Sequence, residues 1–492
     1  MGILSLLLWT PAVGAFLLVF FPSDYLRSIR WLANGFGLLS LVLACYLLSL
    51  FKPDDAGLQF SEFFPLNPNL GSAYALGVDG LSMPMLMLGA LLTSVSLLAS
   101  FSINSAVKGY YLCILLLEFG VTGVFMAQDW ALFYIFWEVT LIPLFFLIGR
   151  WGGKRRHAAS LNFVLYTMVG SVFMLLSLLA VSQYDLHHAG SLMTSMHQAA
   201  QDMPLYEQIL VLAGFILGFG VKLPIFPMHG WLPLAHVEAP AQVSVLLSGI
   251  LLKMGAYGLI RAAVMLPEAT HILQPLLIFL ALFGMLYGGL LAWRQTNLKG
   301  MVAYSSISHM GVVLFGIASL NEAGLNGAIQ QMTAHGLVSG ALFLLLGLLY
   351  LRSHTMSIQE YGNLLSIMPR FACMMILALF AGMGLPGFAG FIPEFHTLIS
   401  CLQTWPWLIV FFGIGILISA AYLLRTITRL FTGSNPAKLV DANDLQSHEL
   451  LASGVLIASI ILLGLMPSRW IELSAGTAAQ FQQTINQRIA QK

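Results

Sequence analysis

The chain has 492 residues, of which 59% are hydrophobic and only 8% charged, with a mean hydropathy of +0.87 and a formal net charge of +1. A soluble domain carries about a quarter charged residues, so this is an integral membrane protein with almost all of its mass in the bilayer. The composition excludes a separate soluble catalytic domain, and the neutral balance gives no reason to expect nucleic acid as a partner.

Apolar stretches of about 20 residues, the length that crosses a bilayer, start near Ile3, Trp31, Leu81, Tyr110, Trp130, Asn162, Glu207, Ala241, Ile272, Met301, Leu325, Phe371, Trp407 and Leu451. The first lacks a basic leading region and reads as a retained span, not a cleaved signal. Longer gaps occur only at Lys52–Val78, Gln183–Tyr206 and Thr432–Leu450. With fourteen spans, alternate loops place Arg27, Arg30, Lys108, Arg150, Lys154, Arg155, Arg156, Arg294, Lys299, Arg352, Arg370, Arg425, Arg429 and Lys438 on one side. Lys52, Arg261, Arg469, Arg488 and Lys492 fall on the other. The positive-inside rule puts the first group in the cytoplasm and both termini outside.

Two spans are interrupted. Pro224 and Pro227 follow Lys222 in the seventh, and Pro386 and Pro393 precede Glu394 in the twelfth. Proline removes a helix donor and clashes with the preceding turn, so each pair opens its helix. Backbone exposed in this way at membrane depth must be buried or line a wet cavity. The breaks lie five spans apart, and an odd offset reverses orientation. The expected fold is therefore all-α and polytopic, with two inverted five-helix repeats that each contain a broken helix. The repeats would occupy 110–266 (spans four to eight) and 267–431 (spans nine to thirteen), flanked by spans one to three in 1–109 and by span fourteen and a tail in 432–492.

Lys222 and Lys253 lie inside apolar stretches, where an ammonium costs roughly 2.5–3.5 kcal/mol on insertion scales. They are either structural ion-pair partners or titrating groups, and lysine suits switching because burial moves its pKa readily. Glu138, in Trp137-Glu138-Val139-Thr140, either snorkels from a helix end or pairs with Lys222 and handles a proton. His309 and His335 lie between Lys253 and Glu394, and histidine titrates near neutrality. Glu118 is an accessory candidate for pairing or proton transfer, while Asp79 could simply cap the third helix. His229, His236 and Glu238 match no standard zinc spacing. Cys45, Cys113, Cys373 and Cys401 are isolated, with neither metal nor redox spacing. No phosphate loop, thiolate cluster, flavin site or quinone site is apparent in this chain.

These motifs resemble the antiporter-like membrane subunits of respiratory complex I, the NADH–quinone oxidoreductase chain M (chain 4) family. The matching segments are Asp79-Gly80-Leu81-Ser82, Trp137-Glu138 with Pro143, Lys222 before Pro224 and Pro227, His229-Gly230-Trp231-Leu232-Pro233, Gly249-Ile250-Leu251-Leu252-Lys253, Tyr304-Ser305-Ser306-Ile307-Ser308-His309-Met310 and Glu394-Phe395. The resemblance runs from about Gly77 to Phe395. It departs from the family pattern at Asn162, Leu234 and Pro393, where Lys, Asp and Gly are usual.

The resemblance implies a proton relay in which Glu138 pairs with Lys222, Lys253 and His309 carry protons laterally with His335 nearby, and Glu394 completes the outlet. It implies a proton-translocating subunit of an NADH:quinone oxidoreductase, without a redox site of its own. Electron transfer would occur in partner subunits holding FMN, iron–sulfur clusters and quinone. Neighbouring antiporter-like chains would be partners, and the setting a bacterial inner membrane. A Mrp-type cation/proton antiporter, a membrane-bound hydrogenase, a carbon-dioxide-uptake complex with the same fold and a purely structural scaffold remain open alternatives.

Overall fold

The computed structural model describes residues 2–67, 71–184, 190–434 and 442–490. Lys438 and Lys492, both counted in the basic asymmetry, lie outside the described residues.

Thirteen helices among the described residues are long and apolar enough to cross a membrane. The fourteenth span is the twelfth in chain order. It is built from Pro369–Gly382 and Phe391–Thr404, with an opened stretch at 383–390 between them. The seventh is likewise split into Leu205–Lys222 and Trp231–Glu238. Both breaks therefore fall where the paired prolines put them. The second and sixth spans start earlier than expected, at Leu26 and Arg156 rather than Trp31 and Asn162. Their first turns carry Arg27, Arg30, Arg156 and His157, residues that continue a helix beyond the hydrocarbon because their heads reach water.

Burial sorts the spans. The second, Leu26–Leu50, and the thirteenth, Pro406–Phe431, keep wide apolar faces exposed, as lipid-facing helices do. The eighth, tenth and eleventh, Ala241–Met265, Leu298–Ala318 and Glu322–Ser353, form the interior and are almost wholly buried. Those three carry Lys253, His309 and His335, so these side chains are held by the most enclosed helices.

Hydrogen bonds fix which loops share an end. Lys108 donates to the carbonyls of Val19 and Phe21, Arg30 to that of Ile103, and the Trp151 indole to Ser105, which gathers the loops after spans one, three and five. Arg352 reaches Asn443 and pairs with Glu449 at 2.6 Å, and Lys299 reaches Ala239. Arg155 pairs with Glu238 at 3.3 Å and Leu298 N–H donates to the Met356 carbonyl, which joins the basic-rich loops into one face. Single cysteines at Lys154 and Arg469 should label with an impermeant maleimide from opposite sides of the membrane. Labelling of both from one side would refute the span count.

Two elements on the other face were not foreseen. The gap after the second span holds an antiparallel hairpin, Gln59–Asn67 with Ser72–Val78. Glu62 of this hairpin accepts from the backbone N–H groups of Leu4 and Ser5 and so caps the first helix. The expected C-terminal tail is instead a helix, Pro467–Ala490. It buries Leu473, Thr477, Phe481 and Ile485, a four-residue spacing that lays one face on the bundle. Thr477 accepts from the Gly80 N–H and Gln482 from that of Glu322, which ties the helix to the third and eleventh spans.

Candidate functional site

Lys222 ends the first half of the seventh span and is fully buried. The break after it is stabilised locally. The Trp231 indole donates to the Val221 carbonyl at 2.8 Å, and Ile225 N–H to Gly220 at 2.8 Å. These bonds satisfy backbone groups that the prolines free. Lys222 Nζ donates to the Trp137 carbonyl and to Thr140 Oγ1, each at 3.3 Å, and sits 3.6 Å from the centre of the Trp137 ring. A cation over an indole face is attracted by its quadrupole, most strongly where water is excluded.

The expected Lys222–Glu138 ion pair does not form. Trp137 and Thr140 meet the ammonium in its place, while the Glu138 charge stays near enough to act on it. One carboxylate oxygen of Glu138 is buried without a partner among the described residues. Glu138 is thus a neighbour of the Lys222 site and not its direct counter-ion.

Lys253 lies just beyond a π-helical turn, Leu247–Leu251. Such turns widen a helix and often mark functional sites. Here the Lys253 ammonium donates to the Ser248 carbonyl at 2.6 Å and lies 2.8 Å from His335 Nδ1. The two helices cross closely because Gly249 and Gly336 meet. A Cβ on Gly336 would stand 2.6 Å from the Gly249 carbonyl oxygen, so no larger residue fits that crossing.

The file continues. The His335 and His309 rings are 5.5 Å apart, centre to centre. His309 Nδ1 is 3.5 Å from Glu394 Oε1 and 3.3 Å from the Gln331 amide nitrogen. Glu394 is buried in the first turn after the second break. The break also shapes its seat. Gly384 has φ +69°, and a Cβ there would approach Glu394 Oε2 to 2.4 Å. Gly384→Ala should therefore cost about 1–2 kcal/mol in backbone strain alone and push the carboxylate from His309. A lowered thermal midpoint together with slowed proton transport checks this, and a variant indistinguishable from wild type in both would refute it.

The structure thus brings Lys253, His335, His309 and Glu394 into one sequence of contacts. Lys222 forms a separate cluster with Trp137 and Thr140. The two lie on adjoining helices, where Gly255 packs against the Leu223 backbone. The accessory candidates stand apart. Asp79 accepts from Ser82 N–H at 2.9 Å, which is the capping role, and pairs with Arg261 at 2.7 Å. Glu118 is buried on the fourth span with one oxygen unpartnered among the described residues.

Some neighbours of these side chains were missed. Thr140 touches Lys222 and Gln331 touches His309. His236, weighed only as a metal ligand, is fully buried and stacks on Phe343 at 4.5 Å, with neither ring nitrogen bonded among the described residues. It is close enough to Lys253 and Lys299 to feel both charges, and so extends the polar interior toward the basic face. No three His, Cys, Asp or Glu side chains among the described residues are grouped as a metal site needs.

Residues 127–419 match the family described as NADH:quinone oxidoreductase/Mrp antiporter, TM. The chain is 40% identical to NAD(P)H-quinone oxidoreductase chain 4 1 of Picosynechococcus sp., over 93% of this chain and 87% of that one. It is 37% identical to NAD(P)H-quinone oxidoreductase chain 4 2 of Thermosynechococcus vestitus, over 94% and 89%. A chain of respiratory complex I from Thermus thermophilus superposes with a TM-score of 0.89 at 31% identity, covering 98% of this chain and 99% of that one. A chain of the Mrp complex from Dietzia sp. shares the fold, with a TM-score of 0.85 at 19% identity over 99% and 100%. The chain therefore belongs to the NADH:quinone oxidoreductase/Mrp antiporter transmembrane family, on its chain 4 branch.

Proposed function

We propose that this chain is the proton-translocating chain 4 subunit of a complex I-type oxidoreductase, and that Lys222, Lys253, His335, His309 and Glu394 carry the protons, with Glu138 beside the entry. The observation that carries this reading is the contact sequence Lys253–His335–His309–Glu394, whose first three members lie on the three most enclosed helices and whose last lies at the second break. Four titratable groups in contact at membrane depth are costly unless they have a task.

Each step keeps proton balance. Lys253 gives a proton from Nζ to His335 Nδ1 and becomes a neutral amine. His335 releases one from its other nitrogen, His309 takes it on Nε2, and His309 passes one from Nδ1 to Glu394. Reloading of Lys253 comes from the Lys222 side, and a charge on either lysine disfavours charge on the other. The two five-span units, 110–266 and 267–431, then each supply one broken helix to one route.

The driving energy is electron transfer in partner subunits, which hold the FMN, iron–sulfur clusters and quinone; this chain contributes no redox group. The partners include neighbouring antiporter-like chains, in a bacterial inner membrane. Identity favours this reading over a Mrp antiporter, since the Thermus complex I chain matches at 31% and the Dietzia Mrp chain at 19%.

The test is to purify the complex through this chain, identify its companions, and reconstitute it in vesicles with and without Lys222→Ala. We expect quinone-reducing companions, normal assembly of the variant and strongly reduced acidification at matched electron-transfer rates. Intact pumping at normal assembly would refute the relay, and small Mrp subunits as companions would refute the parent complex.

A further inference from the structure

On the face opposite the basic loops, the end of the eighth span, the start of the fifth, the short helix Met193–Gln201 and the C-terminal helix surround a cavity of about 390 Å³. Small-molecule sites span about 300–1,000 Å³. Two buried donors in its wall are unsatisfied. The Arg261 side chain is 10% exposed and Trp130 is 2% exposed. Neither Arg261 Nε nor the Trp130 indole nitrogen has a partner among the described residues. A guanidinium and an indole donate and cannot accept. What satisfies both is therefore an acceptor, and a charged acceptor makes the stronger bond to a guanidinium.

Asp79 is the only acid in the wall among the described residues, and its oxygens are already committed. Oδ1 accepts from Leu81 N–H at 3.1 Å, Ser82 N–H at 2.9 Å and the Ser82 hydroxyl at 3.0 Å, and Oδ2 meets Arg261 Nη2 at 2.7 Å. The start of the third helix carries positive partial charge, so it shares the Asp79 charge and leaves part of the guanidinium charge uncompensated. Arg261 Nη2 also donates to Tyr257 Oη at 3.0 Å and Ser82 Oγ at 3.3 Å. The guanidinium carbon lies 4.9 Å from the centre of the Tyr257 ring and 5.6 Å from that of Phe481. These contacts fix the guanidinium in place before anything binds. Gln480 lines the same cavity from the C-terminal helix and is exposed.

We propose that this cavity binds a phosphate group, from the head of an anionic phospholipid or as free phosphate, with Arg261 and Trp130 as its donors. Guanidinium geometry matches phosphate oxygens. The two donors come from different spans, and a tetrahedral anion offers oxygens in several directions where a carboxylate offers two in one plane. The site is separate from the relay, because Lys222, Lys253, His335, His309 and Glu394 are not in its wall. An occupant ties the C-terminal helix to the fifth and eighth spans, so its role is to hold this face together and not to move protons.

The test uses the purified intact complex, with inorganic phosphate as the probe and chloride at equal ionic strength as the control. A ligand that binds the folded state raises the thermal midpoint with its concentration. Trp130→Phe removes the indole donor and keeps a ring. Gln480→Glu keeps the shape, sits at an exposed position and places a like charge beside the anion. Each should raise the phosphate concentration needed for a given shift by about tenfold, and Gln480→Lys should lower it. Phospholipid extracted from the complex and counted separates the two sources. With a lipid source, wild type retains more anionic phospholipid than Gln480→Glu, and added phosphate acts only after delipidation. With free phosphate, the counts are equal and phosphate acts directly. Either result supports the site. Equal lipid counts with no phosphate effect before or after delipidation overturn it, as does the same phosphate dependence in wild type and all variants. If Trp130→Phe does not assemble, the two Gln480 variants decide. In a high-resolution map, a neighbouring subunit's carboxylate or waters alone on Arg261 and Trp130 would also overturn it. Pumping by Gln480→Glu should equal wild type, so a failure here leaves the relay reading intact.

Discussion

Lys253→Arg should leave the complex assembled and cut proton pumping by more than tenfold. The Lys253 ammonium is fully buried and reaches His335 at 2.8 Å. Arginine stays protonated under any physiological condition, so it could hold the contact but never release the proton. If the lysine serves only as a structural cation, arginine should substitute well, apart from about 1–3 kcal/mol for overpacking a filled interior. The two roles therefore separate in one measurement. Vesicle acidification at matched electron-transfer rates, with assembly followed by copurification, reads the difference. Retained pumping would favour the scaffold alternative.

Glu394→Gln should have an effect of similar size. Its carboxylate faces His309 at 3.5 Å and is seated against Gly384 in the second break. Glutamine keeps the shape and can hydrogen-bond to His309, but it cannot accept or release a proton at operating pH. General acid–base groups typically contribute about 10²–10⁴-fold to proton transfer, and loss at the lower end of that range is the expected result. Glu394→Asp keeps the titrating group on a shorter stem and should retain part of the activity. Equal pumping by the Gln variant and wild type would remove Glu394 from the route and leave the twelfth-span break without a functional explanation.

Much of this was legible in the sequence, for definite physical reasons. Fourteen spans follow from the length of apolar runs, because a bilayer sets that length. The two breaks follow from paired prolines beside ionisable residues. Lys222, Lys253, His309, His335 and Glu394 stand out because charge at that depth is costly. Other features depend on packing that spacing does not encode. The π-helical turn at Leu247–Leu251 accompanies the Lys253 side chain's bond to the Ser248 carbonyl and the close contact of Gly249 with Gly336. The absence of a direct Glu138–Lys222 pair depends on how the fifth span packs against the seventh. The hairpin at Gln59–Val78 is too short and weakly alternating to announce itself. The C-terminal helix could have been read from the spacing of Leu473, Thr477, Phe481 and Ile485, but its low apolar content hid it from a search for spans.

The central claim is that Lys253, His335, His309 and Glu394 act in series. A double-mutant cycle on His335→Ala and Glu394→Gln tests it most directly, using pumping rates of the assembled complex at matched electron flux. In a single route, blocking a second step adds little to blocking the first. The double variant should then pump no more slowly than the slower single variant, within about twofold. Losses that multiply, so that the double variant falls by the product of the two single effects, would mean that the residues serve independent routes and would contradict the account.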